Sequence, residues 1–169
     1  LGPEDLVLAR QPLPTKLAEA RIEIRSLENG TIYPVKVIHA WAFQLAGILP
    51  LNVPAGIAEL TAVYQGWRGK PVEFEVVDSL PEIFAVSQQG FGPGVIQNFV
   101  SPTEQPLNSL TKPAKPGQFV ILWGTGLGEL TTRHDVVVRV GSLALKPSYA
   151  GPAPGLPGVD QFNVFLPDQ

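Results

Sequence analysis

The residues of this chain that most resemble a known functional motif are Gly124, Gly126 and Gly128, which follow a strongly apolar run. Glycines placed after a buried strand form the phosphate-binding turn of dinucleotide sites, where a helix N-terminus holds the pyrophosphate. Here Glu129 occupies the position of the third glycine of that fingerprint, and no helix-forming stretch follows. The pattern therefore predicts a structural corner with positive φ rather than a cofactor site.

The carboxylates and histidines supply no reaction centre either. Glu73 and Glu75 lie two residues apart on one strand face, a pairing that glycosidases use, but outward carboxylates more commonly form a solvated edge that resists aggregation. The 2 histidines, His39 and His134, lack further Asp or Glu ligands at the spacing that a zinc site needs. We therefore expect a strand end and a loop for these histidines, and no catalytic residue.

Metal and cofactor sites are not predicted elsewhere in the sequence. Asp160, Gln161 and Asn163 carry oxygen atoms suited to calcium, but the oxygen-rich loop of a calcium site is missing from the sequence around them. We expect Gln161 and Asn163 to bond backbone groups near residues 149–158. The sequence contains 0 Cys, which excludes disulfides, thiolate metal sites and a cysteine nucleophile.

Trp67 is the strongest binding candidate. It lies in a turn between two predicted strands, with Gly66 and Gly69 beside it and Arg68 and Lys70 as neighbouring cations. Exposed aromatic residues at loop tips stack on sugar rings or anchor protein partners, so these residues are a candidate ligand or partner contact. The alternative is that Trp67 packs against its own sheet or a neighbouring module, because a single exposed aromatic residue needs no functional explanation.

Composition places the chain among globular β proteins. Of 169 residues, 44% are hydrophobic and only 16% are charged, while 18 Pro and 17 Gly punctuate the sequence. Such a chain buries a real core and divides it among many short strands. The net charge of −3, without a basic stretch, argues against nucleic acid as a partner. No apolar run approaches the roughly 20 residues that cross a bilayer, so we expect no transmembrane segment in this chain.

Alternation and turn signals predict the strands that position these residues. Ala20, Ile22 and Ile24 alternate with charged residues, and Asn29-Gly30 supplies the two positive-φ residues of a tight hairpin. The further predicted strands are residues 33–38, 58–64, 71–77, 119–123, 136–140 and 161–166. Residues 41–52 are ambiguous between a helix, a crossover and a strand, 80–116 form a long connection, 149–158 form a rigid loop, and Trp41 and Trp123 are expected in the core.

Two copies of one module are indicated by internal similarity. The opening LGPE resembles LGEL at residues 127–130, residues 22–24 match 136–140, and residues 52–54 resemble 165–167. We predict an all-β fold of tandem immunoglobulin-like antiparallel β-sandwich modules. The first covers residues 1–84 and lacks its opening strand, residues 85–112 connect, and the second covers 113–169 and lacks its closing strands.

Five segments carry a family resemblance: LPLNVPAGIAELTAVYQG (49–66), LPEIF (80–84), GPGVIQNF (92–99), PAKPGQFVILWGTGLG (113–128) and DQFNVFLP (160–167). In these segments the chain resembles the Solibacter-type C-terminal domain, a module of uncharacterised function in large exported proteins of Acidobacteria. Residues 119–128 are more loosely similar to the start of the immunoglobulin-like modules (IPT/TIG) that plexins and some transcription factors share.

The resemblance implies a non-catalytic structural, adhesive or assembly module of an exported bacterial protein, secreted or held at the cell surface. It transfers no catalytic residue, metal or cofactor. The resemblance implies more residues between Gly128 and Val136 than this sequence has, and a second module that continues beyond Gln169. Two alternatives stay open: a carbohydrate-binding module that uses Trp67 and adjacent turns, and an accessory subunit of an envelope assembly held by strand exchange. Partners would then be protein modules at sheet edges, or a glycan.

Overall fold

The protein is described by a computed structural model that covers residues 2–129 and 136–168. These residues form antiparallel β-sheets and contain no helix, so the predicted all-β class is confirmed. No segment in this part of the chain is therefore a helix able to cross a membrane. The chain divides into two compact units, Leu1–Asp78 and Ser79–Gln169, each with its own core.

The first unit consists of two antiparallel sheets. The larger sheet has the order β3-β2-β6-β7, with β8 also paired to β6, and the smaller sheet has the order β1-β4-β5. Strands β4 and β5 lie against β2, which gives a sandwich-like packing of the two sheets. The strands are β1 (Val7–Leu8), β2 (Ala20–Ser26), β3 (Ile32–Pro34), β4 (Lys36–Ala40), β5 (Leu45–Ile48), β6 (Gly56–Tyr64), β7 (Trp67–Arg68) and β8 (Val72–Val76).

The alternation in β2 correctly identifies the inner face of the larger sheet. Ala20, Ile22 and Ile24 are buried, whereas Arg21 and Glu23 between them are partly exposed. Side chains alternate across a strand, so one face meets the core and the other meets solvent. The core also takes Val35, Val53, Ala58 and Val76, with Tyr33, Leu45 and Phe74 packed against it.

The hairpin at Asn29-Gly30 differs from the prediction in two respects. Only Gly30 has a positive φ (71°), because the Asn29 side-chain oxygen accepts a hydrogen bond from the Thr31 N–H (2.9 Å) and closes the turn instead. The return segment is also not one strand. It pairs with β2 as far as Pro34, which has no N–H to donate, and then crosses to the smaller sheet as β4.

Residues 41–52, which are ambiguous in sequence, form a turn followed by strand β5. Trp41 lies in this turn. The prediction that it lies in the core is wrong. Its indole N–H donates to the Glu4 carbonyl (3.0 Å), and its ring meets the exposed ring of Phe43 edge-on at 5.1 Å. The apolar run was therefore misleading, since much of it stays at the surface.

The second unit has one large and one small antiparallel sheet. The large sheet has the order β10-β11-β15-β14, with β9 also paired to β11, and the small sheet consists of β12 and β13. The strands are β9 (Glu82–Ile83), β10 (Ile96–Phe99), β11 (Phe119–Thr125), β12 (Val138–Val140), β13 (Leu143–Leu145), β14 (Tyr149–Pro152) and β15 (Asp160–Phe165). The core cluster is Val120, Leu122, Leu127, Ala150, Phe162 and Val164.

The boundary between the units falls at Asp78–Ser79 rather than after Phe84. Strand β9 belongs to the second unit because it pairs with the end of β11. Residues 85–112 are likewise more than a connection, since β10 lies within them and pairs along β11. The predicted rigid loop at 149–158 begins with β14, which pairs with β15. Residues 22–24 lie in β2 of a five-stranded sheet, whereas the predicted strand 136–140 forms a strand only at Val138–Val140, in the two-stranded sheet.

Candidate functional site

Trp67 is presented to solvent by a tight hairpin between β6 and β7. Gln65 and Gly66 both have positive φ, 50° and 85°, which matches the twist of a two-residue turn to the strands it joins. Tyr64 and Trp67 pair across this turn. The Trp67 side chain is 77% exposed, so the turn holds the indole out rather than burying it.

Arg68 does not share a sheet face with Trp67. Successive strand residues point to opposite faces, so Arg68 lies on the outer face of the sheet. There its Nη2 is 2.8 Å from Glu23 Oε2 in an ion pair. Lys70 is exposed and takes part in no ion pair within residues 2–129 and 136–168. Trp67 and Arg68 therefore lie on opposite faces of the sheet, and Lys70 lies in the segment between β7 and β8.

Glu23 is held by two arginines on that outer face. Arg21 Nε donates to Glu23 Oε1 at 2.8 Å, while Arg68 pairs with the other carboxylate oxygen. Burial alone would raise the pKa of the Glu23 carboxyl, but the hydrogen bond from Arg21, the ion pair with Arg68 and the two positive charges outweigh burial and hold the pKa below its ordinary value. The carboxylate therefore stays ionised and ties β7 to β2.

The inner face of the larger sheet extends beyond its covered core. Ile24, Leu60 and Val72 are direct neighbours across β2, β6 and β8, so their side chains share one face. Ile24 is 2% exposed, whereas Leu60 is 37% and Val72 is 60% exposed. The apolar face thus runs from a buried centre to an uncovered end of β8 at Val72, whereas Val76 at the other end of β8 lies in the core.

Trp67 belongs to the same face. It pairs with Tyr64, and Tyr64 pairs with the fully buried Ala20. Leu60, Trp67 and Val72 together are called the inner-face patch below. The patch carries large apolar side chains on the face that elsewhere forms the core, which is the composition of a contact surface rather than of a solvated edge.

The glycine corner has a structural role in the second unit. Gly126 and Gly128 have φ of 86° and 68°, as the sequence predicts. Gly124 differs, because it lies within strand β11 and its φ is not positive. A Cβ on Gly124 would collide with the Glu82 carbonyl oxygen, and one on Gly126 would collide with the Leu80 carbonyl oxygen. These two glycines let the chain at β9 approach β11 closely.

Asp160 stabilises the same corner. Its Oδ2 accepts a hydrogen bond from the Leu127 N–H at 2.8 Å, so this carboxylate is engaged by backbone. Thr125 Oγ1 donates to the Gly158 carbonyl at 2.9 Å and fixes the corner to the loop before β15. Within the described ranges no group of three or more His, Cys, Asp or Glu side chains is placed to hold a metal ion.

The large sheet of the second unit has a groove on the face opposite its core. Pairing aligns Ile121 with Asn163 and Trp123 with Gln161, and the alternate residues Val120 and Leu122 point into the core. The groove is open and has a volume of about 460 Å³. The residues that line this sheet-face groove are Phe99, Gln105, Phe119, Ile121, Trp123, Ser148, Gln161 and Asn163.

Hydrogen bonds hold the polar side chains of the groove in place. Trp123 Nε1 donates to Gln97 Oε1 at 2.7 Å, which fixes the indole beside β10. Gln161 Nε2 donates to Asn163 Oδ1 at 2.8 Å, so the two amides bond each other rather than the backbone groups predicted from sequence. Ser148 Oγ donates to the Asn163 carbonyl at 3.2 Å at the margin of the groove.

The groove is hidden in the sequence for a specific reason. Trp123 is predicted in the core, but its indole is only partly buried and lines the groove. The run from Phe119 to Trp123 is apolar at every position, so its two faces cannot be told apart by alternation. The signal that could have indicated the site is the alternation of Gln161 and Asn163 with Phe162 and Val164 in the neighbouring strand.

The remaining sequence candidates lie apart from the groove. Glu73 and Glu75 are exposed on the edge strand β8. His39 is half-buried within β4, next to its last residue, and pairs with Leu8 and Ala46. His134 lies outside the described residues.

Comparison of the chain with protein-family models, with curated proteins and with solved structures finds no match.

Proposed function

We propose that this chain is a non-catalytic structural or adhesive module of an exported bacterial protein, acting outside the cytoplasm. Its two units would be tandem immunoglobulin-like sandwiches of the kind implied by the resemblance to the Solibacter-type C-terminal domain. Two properties support this proposal: each unit has its own apolar core, and each is built from antiparallel strands. Modules of this kind act through their surfaces and edges.

The inner-face patch is the observation that carries the proposal. Val72 and Trp67 are 60% and 77% exposed although their face of the sheet forms the core further along. Strand β8 pairs with β6 on one side only, so its other edge offers unpaired backbone groups within the described chain. An added strand or module would bury the patch and satisfy that edge together.

The test is the state of association of the full chain in solution. Sedimentation velocity over a concentration series should show reversible association of the wild type, and Val72→Lys should weaken it, since a charge on an edge strand opposes pairing. Leu110→Lys is the matched control, because Leu110 is fully exposed in a turn of the other unit. A monomer at all concentrations, with uniform amide protection in both units, would contradict the proposal.

A second candidate function is glycan binding through Trp67, favoured by the exposure of its indole at the turn tip. Trp67→Ala should then weaken glycan binding by about 1 kcal/mol or more while leaving the unfolding midpoint unchanged. A lower midpoint with binding intact would assign Trp67 a structural role.

A further inference from the structure

The sheet-face groove has a lining suited to an uncharged ligand. None of its eight lining residues carries an ionisable acidic or basic group. A charged ligand in this groove would lose hydration without gaining a counter-charge, which is costly. The volume of about 460 Å³ falls within the roughly 300–1,000 Å³ of small-ligand sites.

The amides of the groove give it directional hydrogen-bonding capacity. The bond from Gln161 Nε2 to Asn163 Oδ1 leaves Gln161 Oε1 as an acceptor and Asn163 Nδ2 as a donor without a partner in the described chain. Each hydroxyl group both donates and accepts, so a pair of neighbouring hydroxyls matches this adjacent acceptor and donor. A purely apolar ligand would leave both amide groups unsatisfied, which disfavours a lipid chain.

The aromatic residues supply the complementary apolar part. Trp123 is held by its hydrogen bond to Gln97, so its ring pays little ordering cost when a ligand arrives. Phe99 and Phe119 are direct neighbours across β10 and β11 and extend the apolar surface. A ligand with an apolar ring face and a hydroxyl-rich rim would contact the aromatic side chains with its ring face and the amides with its hydroxyls.

We propose that the sheet-face groove binds a neutral oligosaccharide, whose ring faces stack on Trp123 and whose hydroxyls bond Gln161 and Asn163. The site lies in the second unit and uses none of the residues of the inner-face patch. The test of this site is therefore independent of the tests of the proposed structural role and of glycan binding through Trp67.

The experiment is affinity electrophoresis of the full chain in native gels that contain hydroxyethyl cellulose, starch, galactomannan, xylan or the acidic polygalacturonate. At least one neutral polysaccharide should retard the wild type. Asn163→Ala should raise the dissociation constant obtained from the retardation about tenfold, which is the effect of losing one good hydrogen bond. Ser148→Arg should abolish it, because Ser148 is exposed at the margin and a long side chain there would cover Asn163 without touching the core.

Two control variants make the result specific. Leu110→Arg adds the same charge at a fully exposed turn of the same unit, and Trp67→Ala removes the other glycan candidate; both should bind like the wild type. Urea unfolding of each variant separates lost binding from lost folding, and Ser148→Arg keeps the test valid if Asn163→Ala unfolds. The proposal would be overturned if no neutral polysaccharide retarded the chain, or if polygalacturonate alone did so. It would also be overturned if Trp67→Ala were the only variant that lost retardation.

Discussion

The Leu80 N–H donates a hydrogen bond to the Gly126 carbonyl at 2.8 Å, and the Leu80 carbonyl oxygen occupies the place that a Cβ on residue 126 would need. Gly126 also has a positive φ of 86°. Two separate costs therefore oppose any side chain at this position: backbone strain and displacement of the segment before β9.

Alanine substitutions should separate these two costs. Gly155→Ala meets only the φ cost, since its φ is 75° and a Cβ there has no atom within 4 Å, and should destabilise by about 1 kcal/mol. Gly126→Ala should cost about 2 kcal/mol or more, because the collision adds to the strain. Urea unfolding measures both; equal midpoints for the two variants would contradict the close approach of Leu80 to Gly126.

The free energy of unfolding should fall as the pH is lowered, because the Glu23 carboxylate becomes protonated. Its pKa is lower in the folded than in the unfolded chain, so the unfolded chain binds the proton first as the pH drops. The contribution to the free energy of unfolding is complete above the ordinary glutamate pKa of about 4.3 and disappears as the pH falls through the folded value. Urea midpoints from about pH 6 to about pH 3 should decline less steeply for Glu23→Gln than for the wild type.

Arg68→Met is the companion variant for this measurement. It removes one of the two cations that lower the Glu23 pKa, so it should reduce the acid dependence in part. An acid slope in Glu23→Gln identical to that of the wild type would show that another carboxyl is responsible.

Asn98 should be a sensitive position for the folding of the second unit. It is 4% exposed, donates to the Lys112 carbonyl at 2.8 Å and accepts from Asn108 Nδ2 at 2.7 Å. Asn98→Ala leaves these groups without their partner and should cost about 1–3 kcal/mol. Thr111→Ala, at an exposed hydroxyl of the same segment, should change stability by less than about 0.5 kcal/mol in the same unfolding assay.

Hydrolase and oxidoreductase screens of the chain should be negative, because neither a nucleophile with its base nor a phosphate-binding loop is indicated by the sequence. Turnover that survives purification and disappears in Glu73→Gln or His134→Ala would refute this prediction. Glu73→Gln leaves one carboxylate of the Glu73–Glu75 pair, and His134→Ala removes the histidine; these groups come nearest to a catalytic pattern.

The sequence by itself determined those features that follow from local rules. The alternation of Ala20, Ile22 and Ile24 identified the buried face of β2, because that strand has one face in the core and one in solvent. The Trp67 hairpin and the positive φ of Gly126 followed from turn chemistry, which depends on a few adjacent residues.

The tertiary structure decided which residues meet. β11 is apolar on both faces, so only its pairing with β10 and β15 placed Leu122 in the core and Trp123 in the groove. Trp123 and Gln161 are far apart in sequence and become neighbours through register alone. A local pattern reports that a side chain is apolar, but its partner is chosen by strand order and register, which long-range packing sets.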